Sequence, residues 1–185
     1  MSLTAQSLTA HFQLMADYNQ WMNQNIHQAA AQLSTEQLKQ ERGAFFGSIL
    51  GTLNHLLVGD TLWLQRFADH PSNPASLAEV RQLPKPQGLD AMLYSELDAL
   101  TRARVAMDTV ILAFTQELTD DTLQTQLAYR NSKGMAFNKP FGHLVQHLFN
   151  HQTHHRGQVS TLLSQAGIDI GATDLLLRIA DSQPQ

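Results

Sequence analysis

Apolar residues recur every third and fourth position over four long stretches of this chain, the spacing that gives an α-helix one buried face. The first stretch covers residues 3–33, with Leu8, Phe12, Met15, Met22, Ile26, Ala29 and Leu33 in phase. Ser34-Thr35-Glu36-Gln37 then offers an N-cap and an acidic first turn, so a short helix is expected to restart there. The second long helix is predicted over residues 46–68. A connection over residues 70–88 follows, broken by Pro71, Pro74, Pro84 and Pro86. The third helix is predicted over residues 89–118, with Leu93, Leu97, Leu100, Met107, Ile111, Phe114 and Leu118 in phase. Residues 119–139 break the helical period. There, residues 125–129 and 134–137 flank Asn131-Ser132-Lys133, a pattern that fits a small β-hairpin.

The fourth helix opens at Pro140, a residue suited to a first helical turn. It buries Phe141, Leu144, Val145, Leu148, Phe149, Val159, Leu162 and Leu163, and it ends before Gly167. Thr173 is placed to cap a short last helix reaching Ala180. Four long amphipathic helices predict an all-α fold, a four-helix bundle, in one domain over residues 1–185. The connections over 69–88 and 119–139 are long enough to cross such a bundle. An order other than simple up-down-up-down is therefore allowed.

The fourth helix also carries the chemistry. Five of the chain's nine histidines lie between His143 and His155. Advancing about 100° per residue puts His155 roughly 40° and His151 roughly 80° from the centre of the apolar face. His147, His154 and His143 lie progressively further out. A single histidine on an apolar face is usually a hydrogen-bonded core residue. An i, i+4 pair leaning inward needs two sets of partners, and this is the spacing at which two imidazoles grip one ion.

A catalytic metal usually takes three protein ligands. The best third candidate is His55, which has Gly51 and Gly59 four residues before and after it. Each mid-helix glycine costs about 0.5–1 kcal/mol against alanine, so two together suggest that space beside the imidazole is needed. Close helix packing explains the glycines equally well. Asp60 either orients a histidine as an acceptor or bonds a tyrosine, a tryptophan or a backbone group. Arg156 either receives a substrate carboxylate or pairs with an acid at the helix surface, and Gln158 lies beside it. His11, His27 and His70 read as structural or solvated.

Composition removes several function classes. A net charge of -4 with scattered basic residues argues against a nucleic-acid partner. No run is long and apolar enough to span a bilayer, and the N-terminal residues lack a continuous apolar signal segment, so cytoplasm is the expected compartment. The chain has no cysteine, which removes disulfides, thiolate nucleophiles and Cys-based zinc sites. The fourth helix has no Glu-x-x-His and no acidic residue between Phe141 and Gly167, against a ferritin-like di-iron centre. No HExxH motif, phosphate-binding glycine loop or G-x-S-x-G elbow is present.

Two marks resemble the DinB/YfiT-like metalloenzyme family. One is His151-Gln152-Thr153-His154-His155-Arg156-Gly157-Gln158, and the other is Asn54-His55-Leu56 followed by Asp60 and Trp63. Met15-Ala16-Asp17-Tyr18-Asn19-Gln20-Trp21 is also similar to the family's first helix, and the likeness runs from about His11 to Ala166. The resemblance implies a four-helix bundle in up-down-down-up order. It implies a divalent metal, nickel or zinc, on three histidines, which by position are His55, His151 and His155. It further implies a homodimer and a small-molecule substrate, with low-molecular-weight thiols as cosubstrates in some relatives. The leading expectation is a metal-dependent enzyme, either a thiol-dependent transferase or a hydrolase. Asp60, Arg156 and Gln158 are candidates for support. The alternatives are a non-catalytic bundle that binds metal or a small ligand, and a structural dimer with a core histidine cluster.

Overall fold

The computed structural model describes residues 7–181. They form a mostly helical fold with one two-stranded antiparallel sheet. Helix α1 spans Leu8–Ala30, α2 Thr35–Lys39, α3 Ile49–Ala68 and α4 Ala78–Gln82. Helix α5 spans Leu97–Glu117, α6 Asp120–Leu123 and α7 Phe141–Gln165, and strands β1 and β2 span Gln126–Arg130 and Ala136–Pro140. The expected start of the first helix at Leu3 lies outside the described residues. Within them, Ser7 caps α1 by accepting from the Ala10 amide. Ser34 is the N-cap expected of α2, and it completes a full capping box with Gln37.

Side-chain pairs fix how the four long helices run. Asn19 and Asn23 of α1 reach Asp108 of α5, while His27 reaches Thr101, so these two helices are antiparallel. His11 meets Gln146 and Asn19 meets Arg156, so α1 and α7 are parallel. His55 faces His151 and His155, and Phe67 meets Phe141, so α3 and α7 are antiparallel. Asp60 reaches Arg104 and Phe67 stacks on Phe114, so α3 and α5 are parallel. The core lies between these helices, with Phe67, Phe114, Phe141 and Phe149 among its fully buried side chains.

Four local expectations are corrected. The second long helix begins at Ile49, not residue 46, because Gly47 adopts φ +73° and Ser48 caps the helix through the Gly51 amide. The third begins at Leu97, not residue 89. The backbone over 89–96 is held against α3 instead: Asn54 accepts from the Tyr94 amide at 2.9 Å and donates to the Tyr94 carbonyl at 3.0 Å. The proline-rich connection contains a 3₁₀ turn at Ala75–Leu77 and then α4. The last short helix is a 3₁₀ turn at Leu175–Arg178, tied to α1 by a two-pronged Arg178–Asp17 pair with both contacts at 2.7 Å. The hairpin is present, in a register pairing Gln126 with Pro140 and Arg130 with Ala136.

Candidate metal centre

Helices α3 and α7 bring His55, His151 and His155 together as a group able to hold a metal ion. The three meet through Nε2. His55 Nε2 is 3.1 Å from His151 Nε2 and 3.1 Å from His155 Nε2. Two nitrogens each about 2.0–2.1 Å from one zinc ion lie about 2.9–3.4 Å apart across octahedral to tetrahedral angles, so the spacing fits a shared ion.

The outer nitrogens decide what the inner ones present. His55 Nδ1 donates to the Leu89 carbonyl at 2.7 Å. His155 Nδ1 donates to Gln158 Oε1 at 2.8 Å. A neutral imidazole carries one N–H, so both rings turn a bare Nε2 lone pair toward the other 3.1 Å away. Protonation does not relieve this clash near neutral pH. Burial pushes all three imidazoles below their ordinary range, and neighbouring histidines push further; His151 falls to about 3. Only His151 could donate into the cluster, and its single N–H leaves the His55–His155 contact unserved. A cation answers the lone pairs of all three rings at once.

Local sequence builds this geometry. A methyl group on Gly59 would lie 2.5 Å from His151 Cε1, so Gly59 gives that ring its seat on α3. A methyl on Gly51 would lie 2.2 Å from the Phe46 carbonyl, so Gly51 admits the loop that brings Phe46 over His55. The Phe46 ring stacks on His55 at 3.7 Å between centroids and meets His155 edge-on at 5.5 Å. The glycines therefore serve both purposes read from the sequence, a ligand's space at Gly59 and a close backbone approach at Gly51.

The remaining predicted residues divide. Gln158 does sit at the cluster, as the acceptor that fixes the His155 tautomer. Among the described residues, Asp60 orients no histidine and bonds no tyrosine, tryptophan or backbone group. It is fully buried between Arg104 and Gln152. Arg156 neither faces the cluster nor pairs with a surface acid; it is buried against Asn19 and Gln152, with its guanidinium 5.5 Å from the Tyr18 ring. One position beyond His155, about 100° further around the helix, it points into the core. Burial lowers it to about 10. His27 and His70 are structural, bonded to Thr101 and to Ser72 and Thr125. His147 packs edge-on to Trp63, with its ring 6.1 Å from that of His151. His143 and His154 are exposed.

Sequence reasoning missed Phe46 and the Leu89 carbonyl. Gly47-Ser48, a left-handed glycine before an N-cap serine, was the available sign that Phe46 precedes the helix. A backbone acceptor such as Leu89 carries no side-chain signal.

Comparison with known proteins places the chain. Protein DinB of Bacillus subtilis (strain 168) is 28% identical over 158 residues, covering 85% of this chain and 87% of that protein. The crystal structure of a DinB-like protein from Bacillus cereus ATCC 10987 matches with a TM-score of 0.52 at 22% identity, covering 89% of this chain and 94% of that one. That likeness is one of fold. The DinB family model matches residues 1–185, and the chain belongs to the DinB family.

Proposed function

We propose that this protein is a metal-dependent enzyme whose His55, His151 and His155 hold one divalent ion, zinc or nickel, and that it acts on a small molecule as a thiol-dependent transferase or a hydrolase. The observation that carries this reading is the meeting of bare imidazole nitrogens at 3.1 Å with their outer N–H groups already committed. No carboxylate or further histidine joins the trio as a fourth ligand among the described residues, the donor count of a catalytic rather than a structural site.

When bound, such an ion on neutral ligands supplies a full positive charge, able to keep a thiol ionised or to bring a water's pKa to about 7. The chain's own residues prepare the place. The Leu89 carbonyl and Gln158 hold two ligand rings in the tautomer that leaves Nε2 free. Phe46 covers the His55–His155 side and keeps water from it. With no cysteine in the chain, any attacking sulfur belongs to a low-molecular-weight cosubstrate.

The reading extends to the whole protein. The helix directions support a four-helix bundle in up-down-down-up order, as one domain over residues 1–185. We further infer a cytoplasmic homodimer; no helix of the described residues is long and apolar enough to cross a membrane. The test is elemental analysis of untagged protein beside His151→Ala and His55→Ala. About one metal per chain, lost in both variants, is expected. Stoichiometric metal retained in either variant, or a wild type that takes up neither zinc nor nickel on titration, overturns the assignment.

A further inference from the structure

Among the described residues, Arg66 is a cation near the cluster with no carboxylate against it. It lies on α3, half-buried, and its side chain has no salt bridge or hydrogen bond among the described residues. Its guanidinium sits 4.5 Å from the centre of the Trp63 ring and 5.3 Å from that of Tyr129. Burial works to lower it, and the Tyr129 phenol is the group that offsets this; no carboxylate does so. By contrast, the buried Arg104 is paired with both Asp60 and Asp108.

A second cation extends the patch. Lys139 on β2 lies 5.4 Å from the Phe137 ring, which stacks on Tyr129 at 5.5 Å between centroids. The two cations thus lie along one aromatic wall of Trp63, Tyr129 and Phe137. That wall reaches the cluster through His147, whose ring is 4.9 Å from Trp63 and 6.1 Å from His151. Arg66 and Lys139 both act on His147: after burial, they are what depresses it. Phe46 packs on His55 and His155, while His147 and the aromatic wall lie on the His151 side of the trio.

The geometry points to an anion-binding subsite at Arg66, flanked by Lys139, which holds the carboxylate of a small organic substrate while the substrate's reacting end lies at His55, His151 and His155. This deepens the proposed function and rests on it for the role of the trio. A planar guanidinium suits a carboxylate, which it grips through two parallel N–H···O bonds. Held half-buried against two aromatic faces, the guanidinium has all its N–H groups free of protein acceptors among the described residues and so available to an incoming anion. The wall beside it favours an apolar or aromatic body between the substrate's two ends. Binding a substrate carboxylate, one of the two roles the sequence left open for Arg156, falls under this proposal to Arg66, which no sequence motif marks.

The competing role is a clamp, in which Arg66 stacks on Trp63 and Tyr129 only to hold the hairpin to α3. Calorimetric titration separates the two, with 4-methylbenzoate and glutarate as probes and 4-methylbenzamide as the uncharged control. Each is titrated into chelator-stripped and zinc-loaded protein. The acids are expected to bind wild type, with the benzamide weaker. Arg66→Gln is expected to weaken the acids about tenfold to a hundredfold, and Arg66→Lys by less. Lys139→Gln, at an exposed strand position, is expected to cost roughly two- to fivefold. Arg66-dependent binding to stripped protein stands even where the three histidines fail to retain an ion, so failure of the metal assignment is read separately. Equal affinity of acids and benzamide, affinity unchanged in both Arg66→Gln and Lys139→Gln, or no binding of either acid to wild type would overturn the proposal.

Discussion

At Gly59 two effects of opposite sign meet, and their sizes decide the outcome of a substitution. Alanine should stabilise α3 itself by about 0.5–1 kcal/mol, because glycine is the more costly residue in a helix. Its methyl would lie 2.5 Å from His151 Cε1, a separation no packed pair adopts. The ring must therefore leave its seat. Misplacing a ligand in this way should weaken zinc binding about 10–100-fold, the range seen when groups that orient ligands are lost. Chelator competition against Gly59→Ala measures it; unchanged affinity would show that the ring has room elsewhere. His27 makes a separate case, since it lies away from the cluster. Burial first, and Arg104 second, lower it from 6.5 to about 3. The unfolded chain therefore binds more protons than the folded one between those values. Stability attributable to His27 is intact above pH 6.5, falls as the pH drops through that window, and levels off near pH 3. At pH 5 the loss is about 2 kcal/mol. His27→Gln should thus lose less stability than wild type between pH 7 and pH 5, measured by urea unfolding, and parallel losses would refute the attribution.

At the scale of elements, the segment before α5 shows where a strong local pattern loses to tertiary contacts. Leu93, Leu97 and Leu100 keep a helical phase, yet the backbone before Leu97 is an irregular run of turns and bends held against α3. Asn54 serves both the amide and the carbonyl of Tyr94, and His55 takes the Leu89 carbonyl. The side chains that anchor this strap are thus the neighbours of the cluster, and the strap supplies a tautomer-fixing acceptor in return. Asn54→Ala should cost about 1–3 kcal/mol, because it leaves two backbone groups without their partner. Hydrogen exchange at the Tyr94 amide should quicken with it. Protection at Tyr94 equal to wild type would mean the strap is held by other contacts. Legibility follows the same division. The periodic helices, the Ser34 cap and the hairpin were readable because local spacing determines them, whereas the Ser48 cap that starts α3 was not read. The inward pair His151 and His155 was readable for the same reason, and His55 from its flanking glycines. Phe46, the Leu89 carbonyl and the partner of Asp60 were not, because each depends on which distant element arrives.

Across the whole molecule, one buried polar network touches all four long helices. Asn19 and Asn23 come from α1, Asp60 from α3, Arg104 and Asp108 from α5, and Gln152 and Arg156 from α7. Two arginines and two aspartates balance in charge. Gln152 and Arg156 each directly follow a cluster histidine, so the same turns of α7 present imidazoles to the candidate site and polar partners to the interior. Apolar stripes leave a helix free to rotate or slide by part of a turn, whereas paired polar groups favour the register in which each meets its partner. Such a network need not add net stability, since burying the charges is itself costly. Breaking it is another matter. Asp60→Ala removes one of the two acids that hold Arg104 above the ordinary guanidinium value against its burial. The uncompensated charge should cost about 3–5 kcal/mol. Against a total of about 5–15 kcal/mol for a typical domain, that is a large share. Asp60→Leu with Arg104→Leu leaves Asp108 in turn without its cation, so only the further change Asp108→Leu should recover part of the loss. Urea unfolding of the single, double and triple variants tests this. If the network sets register, the triple variant should regain stability and yet bind zinc more weakly than wild type, because α7 is no longer held at one angle. A triple variant with both stability and zinc affinity at the wild-type level would show that apolar packing alone aligns the three histidines.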